Sequence, residues 1–467
     1  MKDNYDIIVI GGGLGGLTAA NRLARNGHKV LLAEQHSQLG GLATYFKRKD
    51  HIFDVALHGF PVGMKKSLRK YWGQDFADRV VQVKSIHFDN PQYSLESTFD
   101  TRDFSAKMCG YFGLSQKVVE EFYAAIAQMN YYDNQTETTR EFFNRFFPGR
   151  TDVWRFLMEP ITYANGSTLD EPAISYGIVF GNFMSKGVYT FQGGTDVMID
   201  MMIRELRKNG VDVETCTAVD KILVEKNAKG NVVRGVVMNG KEYGCKAVIS
   251  NGSLPRTVHE WTGDEYFSEE FLQGFNKVKL STSSCQVYMG IKEGEKLPYI
   301  GDLLFSSVYP EFNADALCSR HITSRTYSVY YPNIRPGTDK YSVVASMNAR
   351  YQDWDHMTPE AYRASKAEMI EDTLNALSHY VPNIRKITDY TDASTPKTFQ
   401  RYTGHIDGAT FGTKFNGLNY SMDLHKNVKG LFHTGSVGII MSGWLGAANY
   451  GVITANEVER DCFSPQG

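Results

Sequence analysis

The run Gly11-Gly12-Gly13-Leu14-Gly15-Gly16, with Glu34 downstream, holds the residue types and spacing best suited to binding chemistry. Gly11 permits a tight turn. Gly13 lets backbone approach a pyrophosphate, and Gly16 lets a helix pack on a strand. The N–H groups of a helix N-terminus then face the phosphates with positive partial charge. Glu34 accepts bonds from ribose hydroxyls, which favours an unphosphorylated adenosine ribose. The chemistry is therefore dinucleotide binding. The elements that must position these residues are legible on either side. Ile7-Ile8-Val9-Ile10 reads as a buried strand, and Leu17, Ala20, Leu23 and Ala24 lie at helical spacing. Val30-Leu31-Leu32-Ala33 reads as a second strand ending on Glu34.

More glycine-rich pieces follow. Gly40-Gly41 lies inside Leu39–Thr44, and Phe53-Asp54-Val55-Ala56-Leu57-His58-Gly59 comes next. A simple nicotinamide dehydrogenase needs neither, whereas a long extended ligand needs backbone donors at its far end. Near the end of the chain, Gly430–Gly438 reads as a short strand into a glycine turn. Ser442-Gly443-Trp444-Leu445-Gly446 then opens the final helix. No other GxGxxG sits in a strand-to-helix setting, which argues against a separate nicotinamide domain.

The 467 residues are too many for one simple core, so two domains are expected. The 50 basic and 52 acidic residues nearly cancel, leaving no electrostatic footprint for nucleic acid. The 6 cysteines are scattered, with no spacing for a metal or a disulfide framework. No apolar run approaches the ~20 residues of a spanning helix. A strand begins almost at once, so no secretory signal is expected and a cytoplasmic protein fits best.

Between about residues 63 and 186 helical patterns dominate, including Ser115 as cap of Gln116–Met129. Phe142–Arg150 and Trp154–Met158 mix aromatic rings with arginine. That mixture suits a membrane interface, and it also suits a helix pair closing a core. The stretch Phe142–Met158 is the candidate for peripheral membrane contact. From about Gly187 the strand and helix texture returns, with a helix over Asp196–Asn209 and strands at Val211–Glu214, Val219–Leu223, Val232–Met238 and Lys246–Ser250. Between about Gly263 and Lys426, strands with alternating sides at Cys285–Ile291, Tyr327–Tyr331 and Tyr341–Met347 accompany one long helix opened by Thr358 and Pro359.

With these blocks in place the chain resembles, over nearly its whole length, the FAD-dependent carotenoid desaturase family. That family includes phytoene desaturases, carotenoid isomerases and the retinol saturase. It lies in the wider amine oxidase and Rab escort clan. The matching pieces are Gly11–Gly16 with Glu34, Gly40-Gly41, Phe53-Asp54, Gly193-Gly194 with Val219 and Ile222, Thr395–Phe399, and the final glycine block. The resemblance implies an α/β fold. A Rossmann-like FAD-binding domain (parallel sheet with helices) would be assembled from residues 1–62, 187–262 and 427–467. A substrate domain of antiparallel sheet and helices would span 63–186 and 263–426.

The resemblance also implies roles. Gly11, Gly13, Leu14, Gly15 and Gly16 would hold the FAD pyrophosphate, with Glu34 and Gln35 at the adenosine ribose. Gly40, Gly41, Leu42 and Ala43 would line the ribityl and flavin approach, and Val219 would fix the adenine. Gly435 and Ser436 would meet the pyrophosphate or ribityl chain. Gly443, Trp444 and Leu445 would bring helix-end N–H groups to the flavin. Two departures stand out: Ser436 and Leu445 occupy positions where many relatives carry an acid and a proline. Trp444 is bulkier than usual and is expected to press on the flavin or narrow the cavity.

The expected reaction adds or removes hydrogen at carbon–carbon bonds of a long apolar polyene or isoprenoid. His58, His405 and Tyr402 are the candidates to handle the proton, His58 first because the resemblance sets Phe53–Gly59 near the flavin. Oxygen, a quinone and a nicotinamide all stay open as electron partner. Rival readings are a flavin-dependent cis-trans isomerase, an amine oxidase and a non-enzymatic prenyl or lipid carrier. No metal is expected.

Overall fold

The computed structural model describes residues 4–56, 59–129, 136–165, 168–228, 230–335, 340–438 and 440–464. Strand β1 (Ile7–Ile10) is four β-branched residues, all buried, as suits a strand flanked on both sides and covered on both faces. Helix α1 (Leu14–Arg25) starts at Gly13 without a side-chain cap and ends on Arg22 and Arg25, which favour the negative helix end. Strand β2 (Val30–Ala33) returns parallel to β1. Strands β3 (Ile86–Asn90) and β4 (Tyr93–Ser97) form a tight hairpin, Asn90 opposite Tyr93.

Beyond a helix at Thr101–Gly110, helices α2 (Gln116–Gln128), α3 (Thr139–Phe146), α4 (Thr151–Asn165) and α5 (Ala173–Lys186) follow. Ser115 caps α2 as expected, and Thr138 with Glu141 forms a capping box on α3. Helix α6 (Gly194–Lys208) leads to β5 (Asp212–Glu214), β6 (Val219–Asn227), β7 (Gly230–Met238) and β8 (Ala247–Ser250). Asn239 and Gly240, with φ of 50° and 70°, make the left-handed turn after β7 that a two-residue hairpin loop requires. Then come β9 (Ser283–Ile291), β10 (Leu303–Ser307), β11 (Ser324–Tyr330), β12 (Ser342–Ala349), α7 (Pro359–Ser378), β13 (Thr388–Ser394), β14 (Leu431–His433) and α8 (Gly443–Val458).

The strands build two large sheets. One is parallel, in the order β5-β2-β1-β8-β14. The chain runs outward from β1 to one side, then resumes at β8 on the other. A crevice therefore opens beyond the ends of β1 and β8, where open α/β sheets bind ligands. The second sheet has seven strands, β13-β9-β12-β11-β10-β3-β4, antiparallel except where β10 meets β3. The segment expected to be helical thus also donates β3 and β4 to this sheet.

One expectation changes. The central strands β11 and β12 of the second sheet are buried on both faces, while the edge strand β4 alternates buried and exposed. One face packs on α7 through Val287, Ala345, Tyr327, Leu304, Met369 and Leu377. The other lines a cavity. In the Phe142–Met158 stretch the core reading applies to most side chains. Phe146 and Trp154 are partly buried against the core, and Phe142, Phe143, Phe147, Phe156, Leu157 and Met158 are all at most 1% exposed within it. Burying each contributes about 1.5–3 kcal/mol, which exposure at a surface would forfeit. The interleaved arginines are structural too. Arg145 lies over the Phe142 and Phe146 rings, and Arg155 pairs with buried Glu159 at 3.1 Å. Among the described residues no helix is long and apolar enough to cross a membrane.

Candidate cofactor and substrate site

A single cavity of about 1680 Å³ runs from the β1–α1 turn to the second sheet. Its first part is made of backbone. Gly11 has φ +94°, and its carbonyl accepts from Asn251 Nδ2 at 3.3 Å, beyond the end of β8. A Cβ on Gly13 would sit 2.8 Å from Asn251 Nδ2, and one on Gly15 would sit 2.5 Å from the Thr434 carbonyl. A Cβ on Gly16 would collide with the Gly11 carbonyl oxygen. The turn is therefore closed to any side chain. Its Gly11 and Gly12 amides are taken by the Ala33 carbonyl and Glu34, and the first amides of α1 are left without intrahelical partners.

Two helix ends meet here. Neither α1 nor α8 has a side-chain cap, because Gly13 has no side chain and the Ser442 hydroxyl bonds the Gly438 carbonyl at 2.6 Å. Both ends carry orphan N–H groups and partial positive charge toward one cavity. Such a site suits an anionic, electron-accepting dinucleotide.

Gly11, Gly13, Leu14, Gly15, Glu34, Gln35, Gly40, Gly41, Leu42, Ala43, Val219, Ser436, Gly443, Trp444 and Leu445 all line this cavity. Gly16 and Gly435 do not. Gly16 serves helix packing, and a Cβ on Gly435 would meet the Gly252 carbonyl and the His433 ring. The buried Glu34 carboxylate takes the Gly12 N–H at 2.7 Å and the His36 N–H at 2.8 Å, so it also holds the glycine turn in place. Cys216 N–H bonds the His36 carbonyl and Thr217 N–H the Glu34 carbonyl, which sets Val219 beside this end. Trp444 lines the cavity wall. Its indole stacks on Phe60, centroids 5.0 Å apart, within the core under the parallel sheet.

A buried clamp joins two of the matching blocks. Arg335, 4% exposed, pairs with Asp54 and, at 2.7 Å, with Asp196. Thr195 Oγ1 donates to Asp54 at 2.8 Å. Gly194 must be glycine here, because a Cβ would meet the Arg335 guanidinium at 2.5 Å. The guanidinium pKa is raised: burial opposes the charge, but Asp54 and Asp196 outweigh it.

The far part of the cavity is mostly apolar on its helical side, with Pro160, Ile161, Ile178, Val179 and Phe183 and one polar residue, Asn182, from α4 and α5. Opposite lies the second sheet, with Phe305, Thr326, Ser346, Gln286 and Tyr288.

The three proton-handling candidates separate. His58 lies outside the described residues. His405 lines the cavity, but its Nδ1 is 2.7 Å from the Ala409 carbonyl. Burial, and Arg256 nearby, push its pKa down and keep it neutral. Tyr402 is 53% exposed, with its ring 5.4 Å from His36, at the Glu34 end. Neither described candidate stands among the α4 and α5 residues of the apolar end. Three features escaped sequence reading: Asn251, Arg335 and the buried His433. His433 Nδ1 lies 2.6 Å from Ser421 Oγ, which lies 2.6 Å from Tyr450 OH, and His433 Nε2 lies 3.0 Å from the Gly252 carbonyl. Burial pushes its pKa down to about 4. Only for Asn251 was there a signal, since it follows an apolar strand at a sheet's binding edge. Among the described residues no cluster of His, Cys, Asp or Glu is placed to hold a metal.

A parallel sheet, a side-chain-free turn and two helix ends on one cavity define a dinucleotide-dependent oxidoreductase. The flavin containing amine oxidoreductase family matches residues 14–436, and the chain belongs to that family. It is 24% identical to the all-trans-retinol 13,14-reductase of Danio rerio, across 98% of this chain and 86% of that protein. It is 23% identical to prolycopene isomerase 2 of an Oncidium hybrid cultivar, across 98% and 84%. The 1-hydroxycarotenoid 3,4-desaturase of Flavobacterium sp. (strain P99-3) is 23% identical, across 92% and 93%. Among solved structures, an oxidoreductase from Methanosarcina mazei shares the fold, with TM-score 0.68, 19% identity and 97% and 100% coverage. The carotenoid and retinoid resemblance read from the sequence is thus matched by these relatives.

Proposed function

We propose that this flavin enzyme uses FAD and adds or removes hydrogen at carbon–carbon bonds of a long hydrophobic isoprenoid or polyene. The observation that carries the reading is the continuity of the cavity. At about 1680 Å³ it exceeds the ~300–1,000 Å³ of a single-ligand pocket, which leaves room for both a dinucleotide and a substrate. The glycine turn and Glu34 suit the adenosine and pyrophosphate half of FAD. The α8 end suits the flavin half, where helix-end charge stabilises electron density. When bound, FAD supplies hydride acceptance or donation. The chain's own part is to hold the cofactor by backbone, bury the substrate between α4, α5 and the second sheet, and exclude water. Burial at about 25 cal/mol per Å² supplies the binding energy for a molecule with few polar handles.

The test is an absorbance spectrum of the purified protein, then anaerobic incubation with a polyene extract of its host. Bound FAD that bleaches, with a substrate changed by two hydrogens, is expected for a desaturase. Bound FAD that acts only after reduction is expected for a saturase. Absence of FAD even after its addition overturns the reading.

A further inference from the structure

The floor of the substrate half carries a polar row that an unadorned hydrocarbon does not explain. Register pairing sets Gln286 of β9 opposite Ser346 of β12, Ser346 opposite Thr326 of β11, and Thr326 opposite Phe305 of β10. All four line the cavity. Gln286 and Thr326 are each 2% exposed, and Ser346 is 9% exposed. Thr326 Oγ1 is buried without a hydrogen-bond partner. One end of the Gln286 amide is engaged by the Tyr288 hydroxyl at 2.8 Å, and that hydroxyl also reaches the Val55 carbonyl. Among the described residues the amide N–H end makes no hydrogen bond to protein. Three neighbouring polar side chains thus present hydrogen-bonding capacity to one stretch of cavity wall. Buried polar groups are ordinarily satisfied, so the Thr326 hydroxyl left open within this row points to a ligand that satisfies it.

Its chemistry follows from charge. The row is neutral, and Asp392 further along β13 is already held by Lys366 at 3.3 Å. A carboxylate or an ammonium seated there would be buried without a counter-ion, which is costly. A hydroxyl or carbonyl oxygen can accept from Thr326, Ser346 or the Gln286 amide N–H, and a hydroxyl can also donate to the Gln286 amide oxygen. We infer that the substrate is an oxygenated isoprenoid whose neutral oxygen seats on the Gln286–Ser346–Thr326 row. This rests on the isoprenoid reading above and narrows it.

The test loads the FAD-bound protein, from detergent micelles, with matched pairs of two lengths. The pairs are all-trans-retinol and 1-hydroxylycopene, each against the hydrocarbon of the same skeleton. Polyene retained through gel filtration is extracted and quantified. The alcohols are expected to be retained about tenfold more strongly. Thr326→Val removes only an unpartnered hydroxyl and is expected to keep the fold and the flavin while shrinking that preference severalfold. Adding Gln286→Leu brings it near one without weakening hydrocarbon retention. Equal retention of alcohol and hydrocarbon by the unaltered protein, or a preference untouched by Thr326→Val, overturns the inference alone. Retention of neither pair overturns the isoprenoid reading and this inference with it.

Discussion

The two halves of the cavity are built by opposite means. Around the parallel sheet the wall is backbone: Gly11, Gly13 and Gly15 add no side chain, and two helix ends point inward without caps. Around the seven-stranded sheet the wall is side chains, mostly apolar from α4 and α5 and neutral-polar from β9, β11 and β12. A cofactor with fixed phosphates and rings can be held by fixed backbone donors. A substrate that differs from relative to relative must be read by side chains, which can change without moving the fold. The relatives fit that division, since a retinol reductase, a prolycopene isomerase and a carotenoid desaturase all align along most of this chain.

The comparison breaks most violently at Gly16. A Cβ there collides with the Gly11 carbonyl, so Gly16→Ala is expected to cost more than about 4 kcal/mol and to empty the flavin site. Flavin absorbance and a denaturant melt read both effects, and normal flavin content would show that backbone closure is not what shapes this half.

Next comes the clamp between the halves. Arg335→Met leaves Asp54 buried without its counter-charge and should cost about 3–5 kcal/mol. A loss under about 1 kcal/mol in urea unfolding would mean that the clamp does not tie the blocks together.

The parallel-sheet half should also carry an acid sensitivity. His433 is held neutral, with its pKa pushed down to about 4 by burial, whereas the unfolded chain titrates near 6.5. The unfolded state therefore binds the proton first. Stability is complete above pH ~6.5 and falls by about 3 kcal/mol as pH drops toward ~4. Melting curves across that window should lose this component in His433→Gln; an unchanged slope would remove His433 as its source.

The smallest effect sharpens the other side. Because the Thr326 hydroxyl has no partner, Thr326→Val should raise the stability of substrate-free protein by about 1 kcal/mol. A destabilised variant would mean that the hydroxyl serves the fold and not a ligand.

The local elements around the cofactor were readable because their causes are local. Four β-branched residues, a glycine turn, a periodic apolar helix and an acid at the next strand's end follow one another within the first 34 residues. The capped helices were legible for the same reason. The aromatic stretch Phe142–Met158 was ambiguous, because rings with arginine look alike whether they meet lipid or each other. Only the packing of α3 and α4 against their neighbours showed the rings to be core.

What the sequence by itself determined was the dinucleotide unit, the flavin family and the presence of strands in the later part of the chain. What only the tertiary structure decided was which side chains meet. Arg335 reaches Asp54 from 281 positions away in the chain, and Gln286, Ser346 and Thr326 become neighbours only through strand register. Period-two alternation tells that a strand has two faces. It cannot tell that one will rest on a helix and the other on a cavity, because that depends on what the rest of the chain brings to each face.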